Sequence, residues 1–136
     1  MNMGTVEEYL LVVWKDNKTN IKFTVGFLYK YSNGYQFEYN QDNLDILNST
    51  AFQPLVAFPD LSKRYSSQKL FATFLIRVPD KRRKDIKEIL NFYKLKEYCP
   101  YALLKNSGGK LPIDSLEFVI PTNALEREEW LKIKNY

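Results

Sequence analysis

KFTVGFLYKYSNGYQFEYN, residues 22–40, decides the fold class. Its first part, 22–30, alternates in a strand period and places Phe23, Val25, Phe27 and Tyr29 on one face. Its last part, 34–40, repeats the pattern with Tyr35, Phe37 and Tyr39 turned inward or half-buried. Ser32-Asn33-Gly34 lies between them, and Asn and Gly tolerate the positive φ of a tight hairpin turn. Upstream, EEYLLVVW (7–14) is rich in β-branched and large apolar residues and adds a strand. The first third therefore reads as an antiparallel meander.

Downstream the pattern changes. Asp42 to Leu47 fits one helical turn, and AFQPLVAFP (51–59) is held extended by Pro54 and Pro59. Asp60 to Tyr65 reads as an exposed loop. Ser66 and Ser67 then offer caps for a helix whose buried face is Leu70, Phe71, Phe74 and Leu75, stopped by Pro79. Asp80 is placed to cap a second helix, KRRKDIKEILNFYKL (81–95), with Ile86, Ile89, Leu90 and Tyr93 as its apolar stripe. Pro100 opens a third, short helix. SLEFVIP (115–121) is a return strand with Leu116 and Phe118 on one face. A last helix, about 122–134, starts with Asn123 and Glu126 spaced as a capping box, and Leu125, Trp130 and Ile133 are its apolar contacts. The expectation is one α+β domain over 1–136, a small antiparallel sheet followed by packed helices.

Composition narrows the function. Of 136 residues, 45% are hydrophobic and 15% aromatic, enough for a real core and too apolar for disorder. There is no histidine, which removes the commonest general base and transition-metal ligand and any Ser-His or Cys-His pair. The lone cysteine, Cys99, forms no internal disulfide and fits a reducing compartment; its default is a buried, inert thiol. No apolar run approaches the ~18 residues of a membrane span, and the opening MNMGTVEEYL lacks the basic segment of a secretory signal. These features point to a soluble cytoplasmic protein. The net charge of +4 permits an acidic or nucleic-acid partner without demanding one.

Individual motifs divide between chemistry and architecture. A phosphate loop needs Gly, four residues, then Gly-Lys-Ser/Thr. Here Leu104 stands where the first glycine belongs and Leu111 follows Lys110, so Gly108 is better read as the left-handed residue closing a helix. Asp114 and Glu117, three apart in an extended segment, point to opposite faces and form no acid pair. Lys81, Arg82, Arg83 and Lys84 are the densest positive run, either a phosphate or partner contact or a solvated first helical turn, where cations oppose the helix dipole. Tyr31, Tyr35, Phe37 and Tyr39 are either a stacking platform for single strands or two faces of a sheet. Trp14 reads as core, and Trp130 as core or interface anchor.

The order of these segments resembles a known family. Val25-Gly26-Phe27-Leu28 looks like the opening strand of HipA-type kinases, and Phe37-Glu38-Tyr39 like the strand that follows it. Pro54 to Pro59 is similar to the family's proline-bracketed segment, and Leu70 to Pro79 to its Phe-rich helix. Leu103-Leu104, Gly108-Gly109 and Leu116-Glu117-Phe118 follow in the same order, so the likeness spans roughly residues 9–120. In that family this is the small N-terminal subdomain, and no kinase active-site residue falls within it. A free-standing subdomain resembles the HipS antitoxins of HipBST toxin–antitoxin systems, which restrain a HipT Ser/Thr kinase beside a HipB-like DNA-binding protein.

The resemblance implies a non-enzymatic binding module with no cofactor, no metal and no catalytic residue. Its partner would be a HipT/HipA-type kinase, blocked sterically or conformationally. The expected contacts are the loop, through Leu61, Lys63, Arg64 and Tyr65, and the run Lys81, Arg82, Arg83 and Lys84. The alternative is a nucleic-acid-binding accessory domain, carried by the basic run and the aromatic sheet. A third reading is an enzyme using Asp, Glu, Lys or Tyr alone.

Overall fold

In a computed structural model, residues 3–121 are described. Three long strands come first: β1 (Val6–Lys15), β2 (Lys22–Tyr31) and β3 (Gly34–Tyr39). A 3₁₀ turn at Gln41–Asn43 runs into the short helix α1 (Leu44–Leu47). Then follow β4 (Tyr65–Ser67), α2 (Ala72–Leu75), α3 (Ile86–Phe92), α4 (Pro100–Ser107) and β5 (Leu116–Val119). The five strands form one antiparallel sheet in the order β4-β3-β2-β1-β5. The class is α+β, and β1–β3 are the expected meander. The expected last helix lies outside the described residues.

The tight turn falls at Ser32-Asn33 as expected, with Tyr31 paired to Gly34, but not through positive φ at Asn33. Neither Ser32 nor Asn33 has positive φ. The N-terminal segment braces the turn instead: Asn33 N donates to Met3 O at 3.0 Å and Ser32 N to Thr5 O at 2.8 Å. A second departure lies inside β2. Val12 pairs with Gly26 and Val13 with Thr24, so Val25 is an extra residue, a β-bulge. A bulge reverses the alternation beyond it, because side chains have period two. Phe23 and Val25 therefore share the main core with Leu28, while Phe27 and Tyr29 turn to the other face. The single face expected for Phe23, Val25, Phe27 and Tyr29 is thus split in two. Gly26 sits at this crossing because an added Cβ would lie 2.8 Å from Glu38 O.

The main core gathers one face of the sheet under the helices. Phe37 stacks on Phe58 with ring centroids 4.5 Å apart, and Phe74 meets Phe37 and Phe118 edge-on at 5.6 and 5.0 Å. Tyr39 organises the irregular segment between α1 and β4. Its hydroxyl donates to Phe58 O at 2.7 Å and accepts from Leu55 N at 2.9 Å. Burial pushes its pKa up to about 12. Trp14 packs on this core against Phe23 and Phe52, as expected. On the opposite face Tyr9 and Tyr29 form a smaller cluster with Val6, Leu11, Phe27 and Tyr31.

Helix boundaries differ most from expectation. Ser66 and Ser67 cap nothing; they pair with Gln36 and Tyr35 as the edge strand β4. The following helix shrinks to a single turn, and Leu75 stays exposed. Residues 81–84 are turns rather than helix, because Asp80 accepts from Arg82 N at 2.8 Å and closes a tight local loop. The basic run therefore lies outside α3, and the expected conflict with its dipole does not arise. α4 begins at Pro100 and ends on Gly108 at φ 82°, as the glycine pattern predicts.

Candidate functional site

The expected contact loop lies outside the sheet except for Tyr65, and Asp60, Ser62, Lys63 and Arg64 are exposed, but its side chains are held by local partners. Leu61 packs against the main core, and its carbonyl accepts from Gln41 Nε2 at 2.7 Å. Tyr65 belongs to β4, packs its ring tilted against Phe58 at 4.8 Å, and its hydroxyl accepts from Asp60 N at 2.9 Å. Lys63 Nζ stands 5.0 Å over the Tyr65 ring. Arg64 grips one carboxylate oxygen of Glu38 through Nε and Nη2 at 3.0 and 2.9 Å and lies over Tyr29. This end of the sheet is thus a self-satisfied polar network.

The basic run divides in two. Arg82 is held by Asp80 at 3.0 Å and Arg83 by Asp85 at 2.8 Å. The paired guanidinium lowers Asp80 to about 2, and Asp85 is lowered in the same way. Lys81 and Lys84 are exposed and make no ion pair among the described residues. The aromatic platform is not available for stacking: Phe37 and Tyr39 are in the core, Tyr35 packs on Tyr101 at 5.8 Å, and Tyr31 lies on the other face.

A cleft of about 480 Å³ lies where α3, α4 and the segment after α2 meet. Its base is buried: Leu103, Gly109 and Arg77. Its apolar wall is Ile89 and Phe92 of α3, Tyr93 just past its end, and Pro79, and the exposed Glu88 and Lys110 also line it.

Local chemistry fixes each wall. α3 ends in a Schellman turn, with Leu95 N donating to Leu90 O at 2.8 Å and Lys94 N to Asn91 O at 3.0 Å. The left-handed position of that turn, usually glycine, is Lys94 at φ 58°. Tyr98 OH donates to Pro79 O at 2.7 Å and ties the chain after α3 to the segment before it.

Arg77 closes the base. Its side chain is only 6% exposed, pairs with Asp114 and donates to Gly109 O at 2.9 Å. The guanidinium also lies 5.8 Å from the Phe118 ring centroid. Its two Nη atoms are spent on these partners, so Arg77 acts as a latch rather than an anion trap. Nε is buried without an acceptor among the described residues. Asp114 and Glu117 serve separate pairs, Glu117 with Lys22 at 2.7 Å and Lys110 at 3.4 Å. Among the described residues no three Cys, Asp or Glu side chains converge as a metal site, and no helix is long and apolar enough to cross a membrane.

Phe92 is the feature that the sequence pattern left unplaced. It falls off the Ile86, Ile89, Leu90 and Tyr93 stripe, whose members are only half-buried, and a large aromatic off the apolar stripe was the available signal. It is 78% exposed at the cleft. No family model, curated protein or solved structure matches this chain.

Proposed function

We propose that the chain is a non-enzymatic binding module of the antitoxin kind, docking on a HipA/HipT-type Ser/Thr kinase and holding it in an unproductive geometry. One observation carries the binding part: an open cleft with an apolar wall and Phe92 standing exposed beside it. Aromatic side chains of this kind anchor protein interfaces, where a few large residues supply most of the affinity. The kinase as partner rests on the ordered resemblance of residues 9–120 to the HipA N-terminal subdomain. A HipB-like protein would complete the assembly.

The test is co-expression of the chain with a HipT-type kinase from the same genome, with co-purification at about 0.15 M and about 0.5 M salt under nuclease. Recovery of the kinase at both salts, with autophosphorylation suppressed, is the expected result. A nucleic-acid accessory domain would instead hold nuclease-sensitive partners that leave at the higher salt.

A further inference from the structure

We infer that the sheet's second face, around Tyr9 and Tyr29, is the docking surface for the chain's own C-terminal segment, residues 122–136, with Trp130 as its anchor. The inference stands apart from the kinase reading and concerns the side of the sheet away from α4 and the cleft. The cluster on this face consists of β1 and β2 residues alone: Tyr9, Tyr29, Val6, Leu11, Phe27 and Tyr31. The apolar residues that α1, α2 and α4 bring to a cluster all go to the main core, on the other face. Among the described residues, no helix contributes to the second cluster.

A sheet face without a cover stays solvated, and its aromatic rings stay partly wet. Here Tyr29 is fully buried and Tyr9 is only 7% exposed. Neighbouring side chains do not account for this closure. Arg64 lies over the Tyr29 ring at 5.9 Å, but its own side chain is 42% exposed. Phe27 and Tyr31 beside them are half-buried. The burial belongs to a single copy of the chain, so a second copy is not its source. The cover therefore comes from residues 1–2 or 122–136. Residues 1–2 are too few, and they precede Met3, whose carbonyl is tied to the β2–β3 turn at Asn33.

The C-terminal segment starts in the right place. β5 runs antiparallel to β1 at the sheet edge, with Val119 paired to Leu11. Two residues further in that register, the buried Pro121 stands level with Tyr9, and Tyr9 pairs with Tyr29. Residue 122 thus begins about 10 Å from Tyr29, two strand spacings away. In the expected helix, the step from Asn123 to Trp130 advances about 10 Å. That carries the indole from the β5 edge to β2, with Leu125 and Ile133 as further apolar contacts. A tryptophan suits this aromatic floor, because rings pack tilted or edge-on, as Tyr9 already does against Tyr29 and Phe27. With the segment docked, the sheet is closed on both faces and partner binding is left to the helix side. Released, it would bare a tyrosine-rich apolar patch.

The experiment is NMR on the full chain, with labelled and unlabelled protein mixed so that contacts within one copy are told from contacts between copies. The expected result is NOEs within one copy from the Trp130 indole to the rings of Tyr9, Phe27 or Tyr29. Exchange of the indole N–H should be at least about tenfold slower than in the urea-unfolded chain. Phe27→Lys then places a charge on this face at a half-buried position outside the main core. The Trp14–Phe52 ring contact reports whether the core of that variant is intact. With the core intact, the Trp130 NOEs should be lost and its indole exchange should quicken about tenfold.

NOEs confined to residues 122–136, with indole exchange at the unfolded rate, would overturn the docking surface. NOEs to Ile89 or Phe92 would overturn it in favour of the cleft. Contacts found only between copies would overturn it in favour of a dimer. Indole exchange unchanged by Phe27→Lys would remove this face as the place where Trp130 docks.

Discussion

Tyr39 shows how one hydroxyl can order a long irregular segment. Proline brackets keep residues 51–59 out of helix, and so leave Leu55 N and Phe58 O without regular partners. The Tyr39 hydroxyl satisfies both. Removing it strands a buried donor and acceptor, so Tyr39→Phe should lose about 1–3 kcal/mol in urea unfolding. Gly26 is constrained by contact rather than by φ. Gly26→Ala would drive a Cβ into Glu38 O and the Phe37 ring, both 2.8 Å away, and should lose about 1–3 kcal/mol by the same measurement. A neutral result for either would mean that the β2–β3 seam is looser than its contacts indicate. At this scale the sequence was legible where a residue acts through its own class: Trp14 as core, Gly108 as helix stop, Pro100 as helix start. It was not legible for Tyr39, whose partners lie 16 and 19 positions away.

Two elements owe their ends to local strain and to a distant latch. α3 closes on Lys94 in the left-handed region, where a side chain costs about 1–2 kcal/mol. Lys94→Gly should therefore raise stability by about 0.5–1 kcal/mol, partly offset by glycine's greater chain entropy. A thermal melt shifted downward would show that the lysine makes a stabilising contact outweighing the strain. Arg77 joins the segment after α2 to the α4–β5 connection through Gly109 and Asp114. Arg77→Met should cost about 1–3 kcal/mol, because it leaves the Gly109 carbonyl without its donor while the exposed Asp114 carboxylate can turn to water. Hydrogen exchange should then quicken at Phe118, whose amide donates to Gly108 O and ties β5 to the end of α4. Unchanged protection there would mean that the latch is not what holds the two elements. The over-long helix expected at 81–95 and the missed strand β4 have one cause. Charged and serine-rich stretches carry no apolar period, so neighbours decide them: Asp80 and Asp85 pull the arginines into turns, and the free edge of β3 recruits Ser66 and Ser67.

For the whole molecule, buried tyrosines and paired acids set the pH window. Burial raises the pKa of Tyr39 and Tyr101 above the usual 10.0, so the unfolded chain loses these protons first. Their contribution is complete below pH 10 and is lost as pH rises toward the folded values. Glu117 is lowered, first by Lys22 and then by Lys110, so its contribution is present above its usual 4.5 and lost as pH falls through the folded value. Urea midpoints should decline on both sides of a neutral plateau, and Tyr39→Phe should make the alkaline limb shallower. A limb of unchanged slope would assign the alkaline loss to other groups. The α+β class, the three-strand meander, the β5 strand and the helix at Pro100 were all determined by the sequence alone, because period and punctuation are local properties. The tertiary structure alone decided which face each β2 residue takes, since the bulge at Val25 depends on its register with β1. It also decided which charges are free and where an open cleft lies. Those are properties of distance in space: Arg64 finds Glu38, Arg77 finds Asp114, and Phe92 is left exposed beside the cleft.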